Sequence, residues 1–194
     1  MDTANDLQQA LNDVSASSAG GAPFLIAYGA TFVITAVLSF FLPRPIAALI
    51  AMFQGAVALP VAFWLERRLG SRRMAPDNPL RPLSAQMAMS QALGLPLLIV
   101  AYSLNPGAVP VMLASLGGVH FFPYAWLHRT QNYIYLACAV SIGGFVIQLL
   151  LGAAAFSYIL LYVGVVYWMA APFLYRHAAR LVSGQTSKPD LVSS

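Results

Sequence analysis

The chain carries little charge. Lys and Arg number 10 and Asp and Glu 6 among 194 residues, so 8% of positions are charged, where a soluble globular domain has about 25%. A soluble monomer cannot cover itself with so few ionic groups. Cysteine is nearly absent too: Cys138 stands alone, which excludes a disulfide-rich scaffold. Disordered and collagen-like classes are excluded by a hydrophobic fraction of 59% and a mean hydropathy of +0.72. What remains is a polytopic membrane protein. The net charge of +4 would point to nucleic acid only as a patch on a soluble fold. Here the basic residues sit in short connections between apolar runs, so no nucleic-acid partner is expected.

A helix rises 1.5 Å per residue, so a hydrocarbon layer of about 30 Å takes about 20 apolar residues. Six runs meet that length, at 23–42, 45–64, 83–104, 108–127, 131–151 and 155–175. They are continuously apolar and do not alternate, which predicts helices and not barrel strands. The fold expected is all-α, an integral membrane bundle of six transmembrane helices. Pro43-Arg44-Pro45, Asn105-Pro106-Gly107 and Gly152-Ala153-Ala154 are short turns, and only 65–82 is a longer loop. With the N-terminus inside, the cytoplasmic segments hold Arg67, Arg68, Arg72, Arg73, Arg81, Arg129, Arg176, Arg180 and Lys188, against Arg44 alone outside. That asymmetry puts both termini in the cytoplasm. Trp64 and Trp126, each three residues before an arginine, suit an interfacial belt.

The ends divide the chain into 1–22, 23–175 and 176–194. Residues 1–20 hold Asp2, Asp6 and Asp13 and no Lys or Arg, unlike a secretory signal, so the first span is expected to stay in the mature protein. Leu7, Ala10, Leu11 and Val14 recur at helical spacing, predicting a short amphipathic helix over 3–14 with Thr3 or Asn5 as its cap. Its acidic polar face would be repelled by anionic lipid and attracted to the Arg67–Arg73 loop. Ser15 to Ala22 reads as a flexible linker, and the tail after Arg180 as disordered. Pro60…Trp64-Leu65…Arg67 is echoed by Pro123…Trp126-Leu127…Arg129, which reads either as a weak internal repeat of helix pairs or as an echo that exit from a membrane alone produces.

Inside the spans the notable lack is of ionic groups. No Asp, Glu, Lys or Arg falls in the central part of any run, which removes most support for proton coupling through buried carboxylates. His120, His128 and His177 with one cysteine do not make a zinc or haem site, so no metal and no cofactor is expected. No buried acid orients a histidine base, so the chain does not read as an enzyme. The interior polar groups are Gln54, Gln86, Gln91, His120, Tyr124 and Gln148. In lipid an unpartnered amide costs several kcal/mol, so these groups face one another or water. The bland reading is interhelical hydrogen bonding at about 0.6 kcal/mol each.

His120 and Tyr124, four apart, share a face of span four with Gly117, which lets a neighbour or a ligand approach. His120 is the interior group that changes charge near neutral pH. On span three Ser84 aligns with Gln91, while Gln86 and Ser90 form a second face. Pro60, Pro96, Pro123 and Pro172 should kink their spans or free a carbonyl. Small pairs Ala51 and Gly55, Ala114 and Gly118, Ala139 and Gly143 permit close helix contact. Gln91, His120 and Tyr124 are therefore the candidate intramembrane site, with Gln54, Gln86, Gly117 and Pro123 supporting it.

Asn78-Pro79-Leu80, Gln91 and the run Gly118-Val119-His120-Phe121-Phe122-Pro123-Tyr124-Ala125-Trp126-Leu127 resemble the signature of a family of small bacterial membrane proteins of unknown function. Gly21-Ala22-Pro23-Phe24 is similar as well. Ser90 stands where such relatives often carry Asn, and the 105–110 turn lacks charges they often have. The resemblance implies a bacterial inner-membrane protein focused on His120, Pro123 and Tyr124, and supplies no reaction. The function expected is a transporter or channel for a neutral or weakly charged small solute, sited between spans three and four. Its partners are the lipid bilayer and other copies in a homo-oligomer. The alternative is a membrane sensor or accessory subunit that uses the 65–82 loop as its partner surface; an intramembrane enzyme ranks third.

Overall fold

The computed structural model describes residues 3–70 and 73–186. Among them the regular elements are all helical: α1 (Thr3–Ser17), α2 (Ala22–Leu38), α3 (Arg44–Phe53), α4 (Gly55–Leu69), α5 (Arg81–Ser90), α6 (Leu95–Leu104), α7 (Val109–Leu127), α8 (Asn132–Leu151) and α9 (Ala155–Thr186). Five stretches are long and apolar enough to cross a membrane, namely Ala19–Leu38, Arg44–Leu69, Arg81–Leu104, Pro106–Leu127 and Asn132–Ser183. The last runs 52 residues and reverses at Gly152, whose φ is 53°. Its halves, α8 and α9, pack on each other, and the Tyr162 hydroxyl donates to the Ala139 carbonyl at 2.9 Å.

The core gathers on α9, which meets α1, α2, α7 and α8 and buries Ile159, Leu160, Val163, Tyr167 and Leu174. Its closest crossing is with α2. A Cβ on Gly29 would lie 3.1 Å from the Gly164 carbonyl oxygen, and one on Gly164 would lie 2.9 Å from that of Gly29. Two glycines thus bring two backbones into contact, and Trp168 closes the crossing by donating from Nε1 to the Ile26 carbonyl at 3.2 Å. Gly118 plays the same part between α7 and α8, where its Cα faces the Ala137 carbonyl and the Ser141 side chain.

The segment read as a flexible linker is instead packed. α1 continues to Ser17, and Ser15, Ala16, Ala19 and Ala22 are all buried. The chain then turns through Gly20 and Gly21, at φ 64° and 77°. A side chain at Gly20 would strike the Leu174 carbonyl oxygen, and one at Gly21 the Tyr133 hydroxyl. Both glycines supply left-handed backbone where no Cβ fits. α1 itself buries Ala10, Leu11 and Val14, while Leu7 stays 43% exposed. The Thr3 and Asn5 side chains, Arg72 and Lys188 lie outside the described residues. At the other end α9 runs on past Arg180 to Thr186, so the first residues of the expected tail are helical; 187–194 lie outside the described residues.

Two spans are interrupted. The second breaks at Gln54 between α3 and α4. The third has a 3₁₀ turn over Gln91–Gly94, and its cause is Pro96. Proline cannot donate to the carbonyl four residues back, that of Ala92, which instead accepts from Leu95. Pro96 therefore sits in the first turn of α6, where its missing N–H costs nothing. Pro60, Pro123 and Pro172 stay inside α4, α7 and α9. The halves part company: α3 packs on α6 and α7, α4 on α2 and α5 on α7, while α4 and α5 scarcely touch. The result is a cleft, closed at the α3–α6 end and open toward Arg67 and Arg81.

Candidate functional site

That cleft holds a cavity of about 1200 Å³. One wall is α4, through Leu59, Phe63, Glu66 and Arg67. The facing wall is α5, through Arg81, Ser84, Ala88 and Met89. Phe24 and Tyr28 of α2 and His120, Phe121 and Tyr124 of α7 form the floor, and Tyr133 and Tyr167 lie behind them. The interior is thus mostly aromatic, and the formal charges lie at the mouth, where Arg67, Arg73, Arg81 and Glu66 line the rim.

Gln91, His120 and Tyr124 all line this cavity. They share it because the 3₁₀ turn that follows Ser90 packs on α7, which brings the end of α5 to His120. The Ser90 hydroxyl donates to the Met87 carbonyl at 2.7 Å and lies 3.2 Å from His120 Nδ1. A hydroxyl has one proton, so with it on Met87 the donor of the second bond is Nδ1–H, and Nε2 keeps its lone pair. The His120 and Tyr124 rings meet edge to face, 5.2 Å between centroids. The residues expected to support them are elsewhere. Gly117 makes room for the Tyr167 hydroxyl, 3.1 Å from where its Cβ would be. Pro123 lies on the other side of α7, in a shallow groove with Phe122 and Trp126. Gln86 is exposed and does not line the cavity. Gln54 is buried at the α3–α4 break, and its Oε1 has no partner.

The cavity wall continues into a junction that hydropathy and composition leave unread. The row His120, Tyr124 continues to His128, one more step of four along the same face. His128 is 2% exposed. It stacks on Tyr124, with 10° between planes, and on Tyr133 at 23°. Its Nδ1 is 3.0 Å from Ser15 Oγ of α1, and its carbonyl accepts from His177 Nε2 of α9 at 3.1 Å. The Tyr133 hydroxyl donates to the Gly20 carbonyl at 2.7 Å. Burial, with the His177 ring as a lesser contributor, pushes the His128 imidazole down to about 3, so it is neutral at physiological pH.

The loop before α5 is clamped to α1 by the same kind of polar economy. Buried Asn78 donates from Nδ2 to the Ala10 carbonyl at 3.0 Å and to Asp13 Oδ2 at 2.9 Å. Its Oδ1 accepts from the Leu80 N–H, and Asp13 Oδ2 accepts from the Ala75 N–H, each at 2.9 Å. Leu11, Val14 and Leu127 make a small apolar cluster beneath, joined by Met74, Leu80 and Met87. The helix meets the chain at Ala75 and Asn78, just beyond the Arg67–Arg73 stretch expected to attract its acidic face.

The model of a family of unknown function, DUF7010, matches residues 7–177 of the chain. The chain belongs to DUF7010. The DUF7010 match takes in α1 from Leu7 onward, both interrupted spans, the cavity and the His128 junction. No curated protein and no solved structure matches the chain. Among the described residues no group of three or more His, Cys, Asp or Glu could hold a metal ion.

Proposed function

We propose that this DUF7010 chain is a small-solute transporter of a bacterial inner membrane, crossing the bilayer six times with both termini in the cytoplasm. The observation that carries the reading is the pair of interrupted spans around one cavity. An interrupted helix inside a membrane is expected where it is buried in protein or lines a cavity: the turn that begins at Gln91 lines this one, and the break at Gln54 is buried beside it. The cleft is shut where α3 meets α6 and open where α4 and α5 diverge, the shape expected of one access state. Gln91, Tyr124 and His120 would offer a solute two donors and an acceptor within an aromatic chamber. Counting the α8–α9 hairpin as two crossings gives the sixth, and the arginines at the open end support a cytoplasmic mouth. The outward face of the 3₁₀ turn and α6, where Leu93 and Val100 are 82% and 54% exposed, is where a second copy would pack.

The test is uptake into proteoliposomes, with wild type compared against His120→Ala and against Ala88→Trp, which fills the cavity. The proposal expects solute accumulation that both variants reduce at least about tenfold, the scale of one buried hydrogen bond to a bound solute or of a blocked site. Uptake equal to that of empty vesicles across amino acids, sugars, nucleosides and organic acids would remove it. In that case the sensor or accessory reading gains, on the strength of the Asp13–Asn78 clamp that gives the 73–80 segment a fixed surface.

A further inference from the structure

We infer that the arginine rim and the slit between α4 and α5 hold an anionic phospholipid of the surrounding bilayer, its headgroup at the rim and a tail along the slit, beside the solute chamber at Gln91, His120 and Tyr124. The inference rests on the preceding reading of the chain as a membrane bundle and goes beyond it, whichever solute the chamber takes. Three observations converge on it. First, Arg67, Arg73 and Arg81 come from three separate segments, the end of α4, the following loop and the start of α5, yet line one opening. Glu66 is the single acid among them, so the mouth carries a net positive charge. An anion is attracted there, and a cation is repelled.

Second, the opening continues sideways. α4 packs on α2 and α5 on α7, but the two helices scarcely touch. The gap between two membrane-crossing helices faces acyl chains, not water. Its edges are apolar and exposed: Leu59 at 41%, Phe63 at 47% and Met89 at 71%. A water-soluble anion would leave this slit unfilled, whereas a lipid tail fills it at no dehydration cost.

Third, the length agrees. From Arg81 to Gln91 the wall rises ten residues, about 15 Å at helical pitch. That lines roughly the first twelve carbons of an acyl chain, the remainder passing out through the open side of the slit into the bilayer, and the wall ends at Gln91.

The experiment is native mass spectrometry of the full chain in a neutral maltoside detergent, with equimolar phosphatidylglycerol and phosphatidylcholine. We expect one retained phosphatidylglycerol, favoured over phosphatidylcholine by about tenfold or more, since each basic group near an anionic headgroup contributes on the order of 1 kcal/mol. R67Q/R73Q/R81Q should bring the ratio close to one. R129Q/R176Q/R180Q removes as many charges from residues that do not line the cavity and should leave the ratio unchanged. Equal loss in both variants, or loss in neither, overturns the inference, because the preference would then belong to basic ends in general. Glycerol 1-phosphate supplies the free headgroup without a tail. If it displaces the lipid at comparable concentration, the site reads the phosphate alone and the inference fails. Should R67Q/R73Q/R81Q fail to fold, the salt dependence of the wild-type ratio replaces it: a ratio that stays constant as ionic strength rises overturns the rim assignment. Lipid preference absent with solute uptake intact would sink this inference and spare the transport reading. A lipid retained by the rim with no solute uptake would do the reverse.

Discussion

Acidification puts the His128 junction under a defined load. Its imidazole is buried between Tyr124 and Tyr133 and touches Ser15, and it resists protonation down to about pH 3. In the unfolded chain a histidine titrates near 6.5. Above pH 6.5 both states hold it neutral, and the junction has its full strength. Between 6.5 and about 3 the unfolded chain binds a proton that the folded chain refuses, so stability falls as pH falls, by about 1.4 kcal/mol per unit. At pH 5 the loss is about 2 kcal/mol. His128→Phe keeps the ring stack and removes the titration; it gives up the Ser15 contact, about 1 kcal/mol at every pH. The assay is thermal unfolding in detergent from pH 7.5 to 4.5, wild type against variant. The wild type should lose stability more steeply than His128→Phe over that window, and the curves should cross at about pH 6, where the titration loss equals the Ser15 contact. Parallel curves would show that His128 takes a proton in the folded state and would refute the buried, neutral assignment.

Two further outcomes are expected at the edges of the same region. Asn78→Asp deletes the amide donor to Asp13 and Ala10 and sets two carboxylates side by side. It should destabilise the α1 clamp by about 3 kcal/mol at pH 7, read as faster proteolysis within α1, with partial recovery toward pH 4 as one carboxylate protonates; cleavage at the wild-type rate would refute the clamp. Arg129 ends α7 in left-handed backbone, φ 52°. The Thr130 N–H bonds the Ala125 carbonyl, and the Arg129 N–H that of Trp126, a glycine-type helix stop occupied by arginine. Arg129→Gly should raise stability by up to about 1 kcal/mol, measured as a higher unfolding temperature; a drop would mean that the arginine side chain contributes more than its backbone conformation costs.

Much of the helical layout was legible in the sequence, because a span needs only local information. The apolar runs at 45–64, 83–104 and 108–127 sit within Arg44–Leu69, Arg81–Leu104 and Pro106–Leu127. The interruptions were half legible. Pro96 announced a freed carbonyl, but hydropathy is blind to whether a helix kinks or inserts a 3₁₀ turn. The end of α5 comes to His120 because that turn packs on α7, which the spacing of a regular helix does not show. The His128 junction was hidden for a different reason. Its partner Ser15 is 113 residues away, and a histidine beside arginine in a turn looks solvent-exposed. Continuing the four-residue step from His120 and Tyr124 was the available signal. Ser15–Ala22 misled in the same way, since small polar residues suit a linker and suit equally a tight seat where only small side chains fit.

The sparse contact between α5 and its surroundings sorts the molecule into a frame and an outrigger. Helices joined glycine to glycine, as α2 and α9 are, share a fixed axle and have no slack to give. The limb from Arg81 to Leu104 is different: only Leu98 along it is buried, and the swivel at Gln91–Gly94 divides it in two. Repositioning that limb sacrifices almost no core, so whatever motion this protein makes is cheapest there.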